Sequence, residues 1–388
     1  MIDENRHLNI AFFTALDPQE IHKWSWAGTF RHMICALQKY CGEVFQIGPI
    51  SCEEQAIARV IHTRSQAELG KNFTYRYCVL VSQKYAEIAA QRLQERPYDV
   101  IIAPSGETEV AFLETSIPII LIEDATYDLL IDYHQEFSNL SQQAISELQI
   151  IESLALKRAS LLVSSSEWAA RSAIEHYDVD KQKVHIIPFG ANFEYSPAKE
   201  QALGKKKSDR CRMLFVGNNW ERKGGSIALE TLLALEDMHI QSELIICGCT
   251  PRGNLSHERM TVIPFLDKTD EIQRMKLEQL YKMADFFLLP TRNDCTPIVF
   301  CEANAFGLPV ITTDTGGISG IIKQGENGFL LPYNARGGAY AEVIAKIYQD
   351  DQRYGDLVKS SRATFDSRLN WDAWGQSMKS IIAALLEV

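Results

Sequence analysis

The sequence predicts an α/β protein built of two doubly wound domains, each a parallel sheet with helices on both faces. Three observations carry that reading. The 388 residues exceed what one hydrophobic core usually supports. Hydrophobic residues make up 46% and charged residues 23%, a composition that packs rather than staying disordered. Short apolar runs alternate with helical patterning, pause at the polar stretch Glu194–Arg210, and then restart.

Taken in order, runs rich in Ile, Val, Leu and Phe predict strands at Asn9–Thr14, Glu43–Ile47, Val100–Ala103, Ile117–Ile122, Leu161–Ser164 and Val184–Ile187. Helices fit between them at Phe30–Lys39, Val81–Glu95, Glu109–Glu114 and Ser141–Ala159. Lys205, Lys206 and Lys207 mark the polar stretch as a solvated linker rather than a binding patch. Beyond it, strands are expected at Met213–Val216, Glu243–Cys247, Thr261–Ile263, Phe286–Leu289 and Val310–Thr312, with helices at Gly225–Asp237, Thr269–Met283, Val299–Ala305 and Gly338–Gln349. The domains expected are residues 1–194 and 195–368, followed by a final helix over 369–388. No short-period repeat is visible.

Charge and cysteine usage exclude several classes. The formal net charge of -11 argues against a nucleic-acid binder, which presents a basic surface to phosphates. Nine scattered cysteines without a CxxC pair fit reduced thiols and a cytoplasmic protein. Cys247 and Cys249 lack the partners of a metal site. No secretory signal or spanning segment is read, although docking to a membrane surface through a patch stays open.

Ligands of open parallel sheets sit beyond the carboxyl ends of the strands, so chemistry is sought in the loops there. The most informative runs from Pro290 to Glu302, where a strand ends at Leu289, a loop carries Asp294, and a helix beginning near Ile298 carries Glu302. A diphosphate could rest on that helix N-terminus while the two carboxylates accept hydrogen bonds from sugar and ribose hydroxyls. Equally, Asp294 could cap the helix and Glu302 could be a surface residue. Near the chain start, Trp26, Ala27, Gly28 and Thr29 follow the first strand and precede a helix, a small strand–loop–helix phosphate or sugar site. Trp24 and Trp26 could stack on a sugar or pack on the core. Glu107 and Glu109 are either acceptor-pocket acids or helix-capping acids, and a lone His134 is more simply structural.

The stretch from Asp294 to Glu302 resembles the acid-x7-acid signature of glycosyltransferase family 4, retaining enzymes of the GT-B fold. The resemblance is extended by Trp26 to Thr29, Ser165-Ser166-Glu167-Trp168, Pro188-Phe189-Gly190, Phe215-Val216-Gly217 and Glu221-Arg222-Lys223-Gly224. It continues through Thr315 to Ile318 and Gly325 to Leu330. It implies two Rossmann-like domains facing each other across a cleft, with the final helix, including Trp371 and Trp374, crossing back to the first domain.

The resemblance also implies roles. Glu302 would bind the donor ribose, Asp294 would lie near the transferred sugar where the family more often has glutamate, and Lys223 would neutralise the donor diphosphate. The arginine usual five residues before that lysine is replaced by Asn218, so Arg222 or backbone donors would supply the second positive site. Pro297 has no N–H, leaving Thr296 and Ile298 as backbone donors. Gly28 and Thr29 would face the donor phosphates, and Leu266 would contact the base. Gly316 and Gly317 would either let the backbone approach the donor or form a tight turn. The family's histidine after the fourth strand is absent; Asp124 or Glu123 stands in its place. Asp294, Asp124 and Lys223 are therefore the candidate catalytic groups.

The expected reaction moves a sugar from a UDP- or GDP-linked donor to an unidentified acceptor hydroxyl with retention, without metal or other cofactor. A non-catalytic nucleotide-sugar-binding subunit and a GT-B-like nucleotide-sugar epimerase are the competing readings. A dehydrogenase is disfavoured because no GxGxxG follows the first strand.

Overall fold

A computed structural model describes residues 7–18, 26–194, 196–205, 207, 209–251, 253 and 255–387. The chain divides into two compact units, Met1–Pro188 with Trp371–Val388, and Phe189–Asn370.

The first unit runs β1 (Leu8–Phe12), α1 (Ala27–Tyr40), β2 (Gly42–Gln46), α2 (Glu53–Leu69), α3 (Val79–Arg92), β3 (Val100–Pro104), α4 (Glu107–Val110), β4 (Ile119–Glu123), α5 (Tyr127–Leu130), α6 (Gln142–Arg158), β5 (Leu161–Ser164), α7 (Glu167–Tyr177) and β6 (Val184–Ile186). Its sheet has the order β2-β1-β3-β4-β5-β6 with every pairing parallel. The central strands β3 and β4 are buried at all five positions, which is why they read as unbroken apolar runs. Ser141 and Ser166 start α6 and α7 by accepting the amides of Ala144 and Ala169 at 3.2 and 3.3 Å.

The second unit continues with α8 (Lys199–Leu203), β7 (Cys211–Val216), α9 (Gly225–Asp237), β8 (Ser242–Cys247), β9 (Met260–Ile263), α10 (Glu271–Met283), β10 (Phe286–Leu289), α11 (Ile298–Ala305), β11 (Val310–Thr313), α12 (Ile318–Ile321), β12 (Gly328–Leu331), α13 (Gly337–Tyr348) and α14 (Asp351–Arg368). Its sheet order is β12-β11-β10-β7-β8-β9, again all parallel. The order reverses beside β7 and β10, the switch point where ligands gather in doubly wound sheets. Both units are thus Rossmann-like.

The last helix, α15 (Trp371–Leu386), belongs to the first unit and lies on α1. Trp371 meets Trp374 edge-on at 5.4 Å and stacks on His32 at 6.0 Å. A Cβ on Gly375 would come within 2.5 Å of the Tyr40 ring, so the two helices approach as closely as glycine allows. Lys39 and Asp372 close the outer edge at 2.7 Å, an exposed pair that adds little.

Several elements differ from expectation. α1 begins at Ala27, so Gly28 and Thr29 lie in its first turn rather than in the loop before it. The polar stretch is no free linker. The Lys207 ammonium donates to the Tyr348 carbonyl at 2.8 Å and to Asp351, and Arg362 reaches the Pro197 carbonyl at 2.8 Å. The Lys205 ammonium is buried without a hydrogen-bond partner, and burial lowers its pKa to about 8. Lys206 and Trp24 lie outside the described residues.

Candidate active site

The loops after β7 and β10 meet at the switch point of the second sheet. The loop after β7 carries Asn218, Arg222 and Lys223 and turns into α9 at Gly224. That turn has a left-handed φ of 75°, and a Cβ there would lie 1.9 Å from the Pro290 carbonyl oxygen. Glycine therefore lets the two loops touch. Gly217 makes a similar approach on the other side, where a Cβ would meet the Lys223 side chain at 2.9 Å.

This contact delivers Lys223 onto Asp294. The ammonium donates to both carboxylate oxygens at 2.7 Å, and Arg222 Nη1 donates to Oδ1 at 3.1 Å. The Thr291 hydroxyl donates to Oδ2 at 2.7 Å. Arg222 is held further by the Asn293 carbonyl at 2.9 Å and the Asn218 side-chain oxygen at 3.3 Å. Asn218 thus orients the cation that sequence reasoning offered as a replacement for the missing arginine.

Burial pushes the Asp294 carboxyl up, but the Lys223 and Arg222 charges, with the Lys223 and Thr291 hydrogen bonds, outweigh it and hold it below the ordinary carboxylate value. Burial lowers the Lys223 ammonium, Arg222 adds to the fall, and Asp294 opposes it without cancelling it. With all three groups ionised, two cations face one carboxylate. The cluster therefore keeps one more positive than negative charge in a partly desolvated place, where it attracts an anion.

Thr296, Pro297 and Ile298 form the turn from Asp294 into α11. Pro297 is the N-cap residue, and Ile298 and Val299 supply first-turn amides. Thr296 is buried and Ile298 half-buried. Glu302 follows on the same helix, fully buried rather than on the surface. Its Oε2 accepts from the Tyr281 hydroxyl at 3.0 Å, and its Oε1 accepts from the Lys268 ammonium. Tyr281 stacks on Phe306 at 5.4 Å and on Phe287 at 5.9 Å. Burial and Glu302 hold its phenol well above the ordinary value, so it stays a donor. Leu266, two residues before Lys268, is half-buried against the same core. Gly316 and Gly317 form the turn between β11 and α12.

Sequence reasoning missed Lys268, Tyr281 and Thr291. No local pattern marks them, although Thr291 lies three residues before Asp294 and could have been read as its partner.

The remaining candidates are in the first unit. Gly28 and Thr29 open α1 after β1, with Thr29 buried. Asp124 is half-buried after β4, and Glu123, the last residue of β4, is buried and accepts from the Ser164 hydroxyl at 3.0 Å. Glu107 and Glu109 are buried at α4, and Glu109 accepts the Ala15 amide at 2.9 Å. Among the described residues, no helix is long and apolar enough to cross a membrane.

Residues 198–364 match the family described as "Glycosyl transferases group 1". The chain is 24% identical over 261 residues to the D-inositol 3-phosphate glycosyltransferase of Corynebacterium jeikeium (strain K411), covering 62% of this chain and 60% of that protein. It thus spans about three-fifths of that relative's length. It is 21% identical over 332 residues to spore coat protein SA of Bacillus subtilis (strain 168), covering 79% of this chain and 83% of that one. Among solved structures, sucrose-phosphate synthase from Thermosynechococcus elongatus superposes with a TM-score of 0.69 at 18% identity, covering 98% of this chain and all (100%) of that one. Anabaena HepE in complex with UDP-glucose gives 0.62 at 18% identity, over 98% and 100%. By sequence over residues 198–364 and by fold over nearly its whole length, the chain is similar to group 1 glycosyltransferases of the GT-B fold.

Proposed function

We propose that the protein is a retaining glycosyltransferase that moves a hexosyl group from a nucleoside diphosphate sugar to an acceptor hydroxyl. The observation that carries this reading is the Arg222–Lys223–Asp294 cluster, with Lys223 buried and Arg222 and Asp294 half-buried, whose surplus positive charge lies beside a helix N-terminus at the switch point. In this reading the donor diphosphate takes the surplus charge, with Arg222 and Lys223 on its oxygens and the amides of Thr296 and Ile298 completing the cradle. These groups stabilise the leaving diphosphate as charge develops on it, which is where electrostatics contributes most.

Asp294, anchored by Lys223, accepts a hydroxyl of the transferred sugar. Glu302 takes the ribose hydroxyls, its position set by Tyr281 and Lys268. Leu266 faces the base, and Gly28 and Thr29 serve the donor phosphates. Asp124, beside the buried Glu123, hydrogen-bonds the acceptor or the sugar. The departing phosphate receives the acceptor's proton on the front face, and the reaction needs no metal. The acid-x7-acid spacing supports assignment to glycosyltransferase family 4, and Anabaena HepE, a fold neighbour solved with UDP-glucose, supports a UDP-sugar. Nine free cysteines support a cytoplasmic site of action.

The test is a thermal-shift panel of UDP- and GDP-sugars on the wild type, Lys223→Ala and Glu302→Ala, followed by turnover assays with candidate acceptors. Stabilisation of the wild type by a nucleotide sugar, lost in both variants, supports the reading. Sugar change without an acceptor would replace it with the epimerase, and binding without turnover with the non-catalytic subunit.

A further inference from the structure

Three buried glutamates of the first unit come together, and among the described residues none of them pairs with a cation. Glu107 opens α4, Glu123 ends β4 and Glu152 lies midway along α6, and their residues are 4%, 1% and 0% exposed. Each offers a carboxylate oxygen, and the three oxygens lie within 4.8 Å of one another. Among the described residues no Lys, Arg or His pairs with any of them. Protein donors satisfy only part of the set. The Ser164 hydroxyl reaches Glu123 Oε1 at 3.0 Å, and the Tyr127 amide reaches Glu152 Oε2 at 2.8 Å. The second oxygens, Glu123 Oε2 and Glu152 Oε1, are buried with no partner at all.

Three carboxylates this close and this dry repel one another, and each loses its hydration. Something must neutralise them. The geometry points to a divalent cation held by Glu107, Glu123 and Glu152. The three oxygens, one from each glutamate, lie close enough together for a single ion to meet all of them. An all-oxygen, all-carboxylate set suits a hard ion, calcium, magnesium or manganese. The ion would staple α4, β4 and α6 and so fix the chain leading into Asp124. Its role is structural: it would set the backbone that carries Asp124 and supply no group to the proposed transfer.

The full chain, stripped with EDTA and dialysed, is titrated with calcium, magnesium and manganese chloride, with bound metal read by elemental analysis and stability by thermal melting. About one cation should bind per chain, raising Tm by about 5 °C at a hundredfold excess over Kd. The double variant Glu123→Gln/Glu152→Gln should bind less than about a tenth as much. In EDTA it should melt no lower than the stripped wild type, because the repulsion is gone; Glu107→Gln serves in its place if the double variant fails to fold. Wild type that binds none of the three ions, keeps an unchanged Tm, and loses stability as pH rises would overturn the site and leave shared protons as the neutralising charge.

Discussion

Asp294→Asn separates a diphosphate site from an ordinary buried ion pair. The substitution keeps the shape and leaves Lys223 and Arg222 without their counter-charge. Breaking a buried pair from one side costs about 3–5 kcal/mol. Here the low end applies, because the asparagine oxygen still accepts from Thr291 or Lys223. About 3 kcal/mol corresponds to a Tm fall of about 6–12 °C for a unit of this size. The same change removes a negative charge from beside the place where the diphosphate would rest. For unit charges about 8 Å apart at an effective dielectric near 20 that repulsion is worth about 2 kcal/mol, roughly a 30-fold gain in nucleotide affinity. UDP or GDP should therefore stabilise Asp294→Asn more than the wild type while turnover falls, an unusual pairing of outcomes. Scanning fluorimetry with and without nucleotide reads both shifts. An equal or smaller nucleotide shift in the variant would refute the placement of the diphosphate beside Asp294.

Lys223→Ala should abolish the nucleotide-induced Tm shift and lower kcat/KM by roughly 100- to 1,000-fold, the scale for losing one preorganised charge on a leaving group, as measured in steady-state assays. Gly224→Ala places a methyl where the Pro290 carbonyl already lies and demands a left-handed φ of an alanine. It should cost about 3 kcal/mol or more in denaturant unfolding and uncouple Lys223 from Asp294. Glu109, its pKa raised to about 7 chiefly by burial, is held protonated in the folded chain above its unfolded range. Its contribution is complete below about pH 4.5 and is lost as pH rises towards 7, so Glu109→Gln should flatten that part of the stability profile.

Much of the fold was legible because its strands are buried on both faces. Phe286–Leu289 is buried throughout and bounded by Asp285 and Pro290, so its limits were read as they stand. β12 was missed because it is four residues long and begins at Gly328. α2 escaped because its apolar residues form no stripe; Ala58 is buried, whereas Ile57 and Val60 are exposed. α14 is polar and carries Gly355, and tertiary packing overrides its weak pattern.

Within the site, Asp294 and Glu302 stood out as two acids on either side of a helix start at a strand end, and Arg222 and Lys223 through the resemblance to glycosyltransferase family 4. The partners that make the chemistry specific did not. Tyr281 and Lys268 reach Glu302 from a helix and a loop well separated in sequence, and an aromatic on a helix reads simply as core. Glu152 likewise reads as one more helix acid until folding carries it to Glu107 and Glu123.

The most direct measurement is a crystal structure of the protein with a bound nucleoside diphosphate sugar. Phosphate oxygens should be found on Lys223 and Arg222 at the start of α11, with the ribose hydroxyls on the Glu302 carboxylate. A nucleotide ordered elsewhere, with the Lys223–Asp294 pair and Glu302 untouched, would contradict the account.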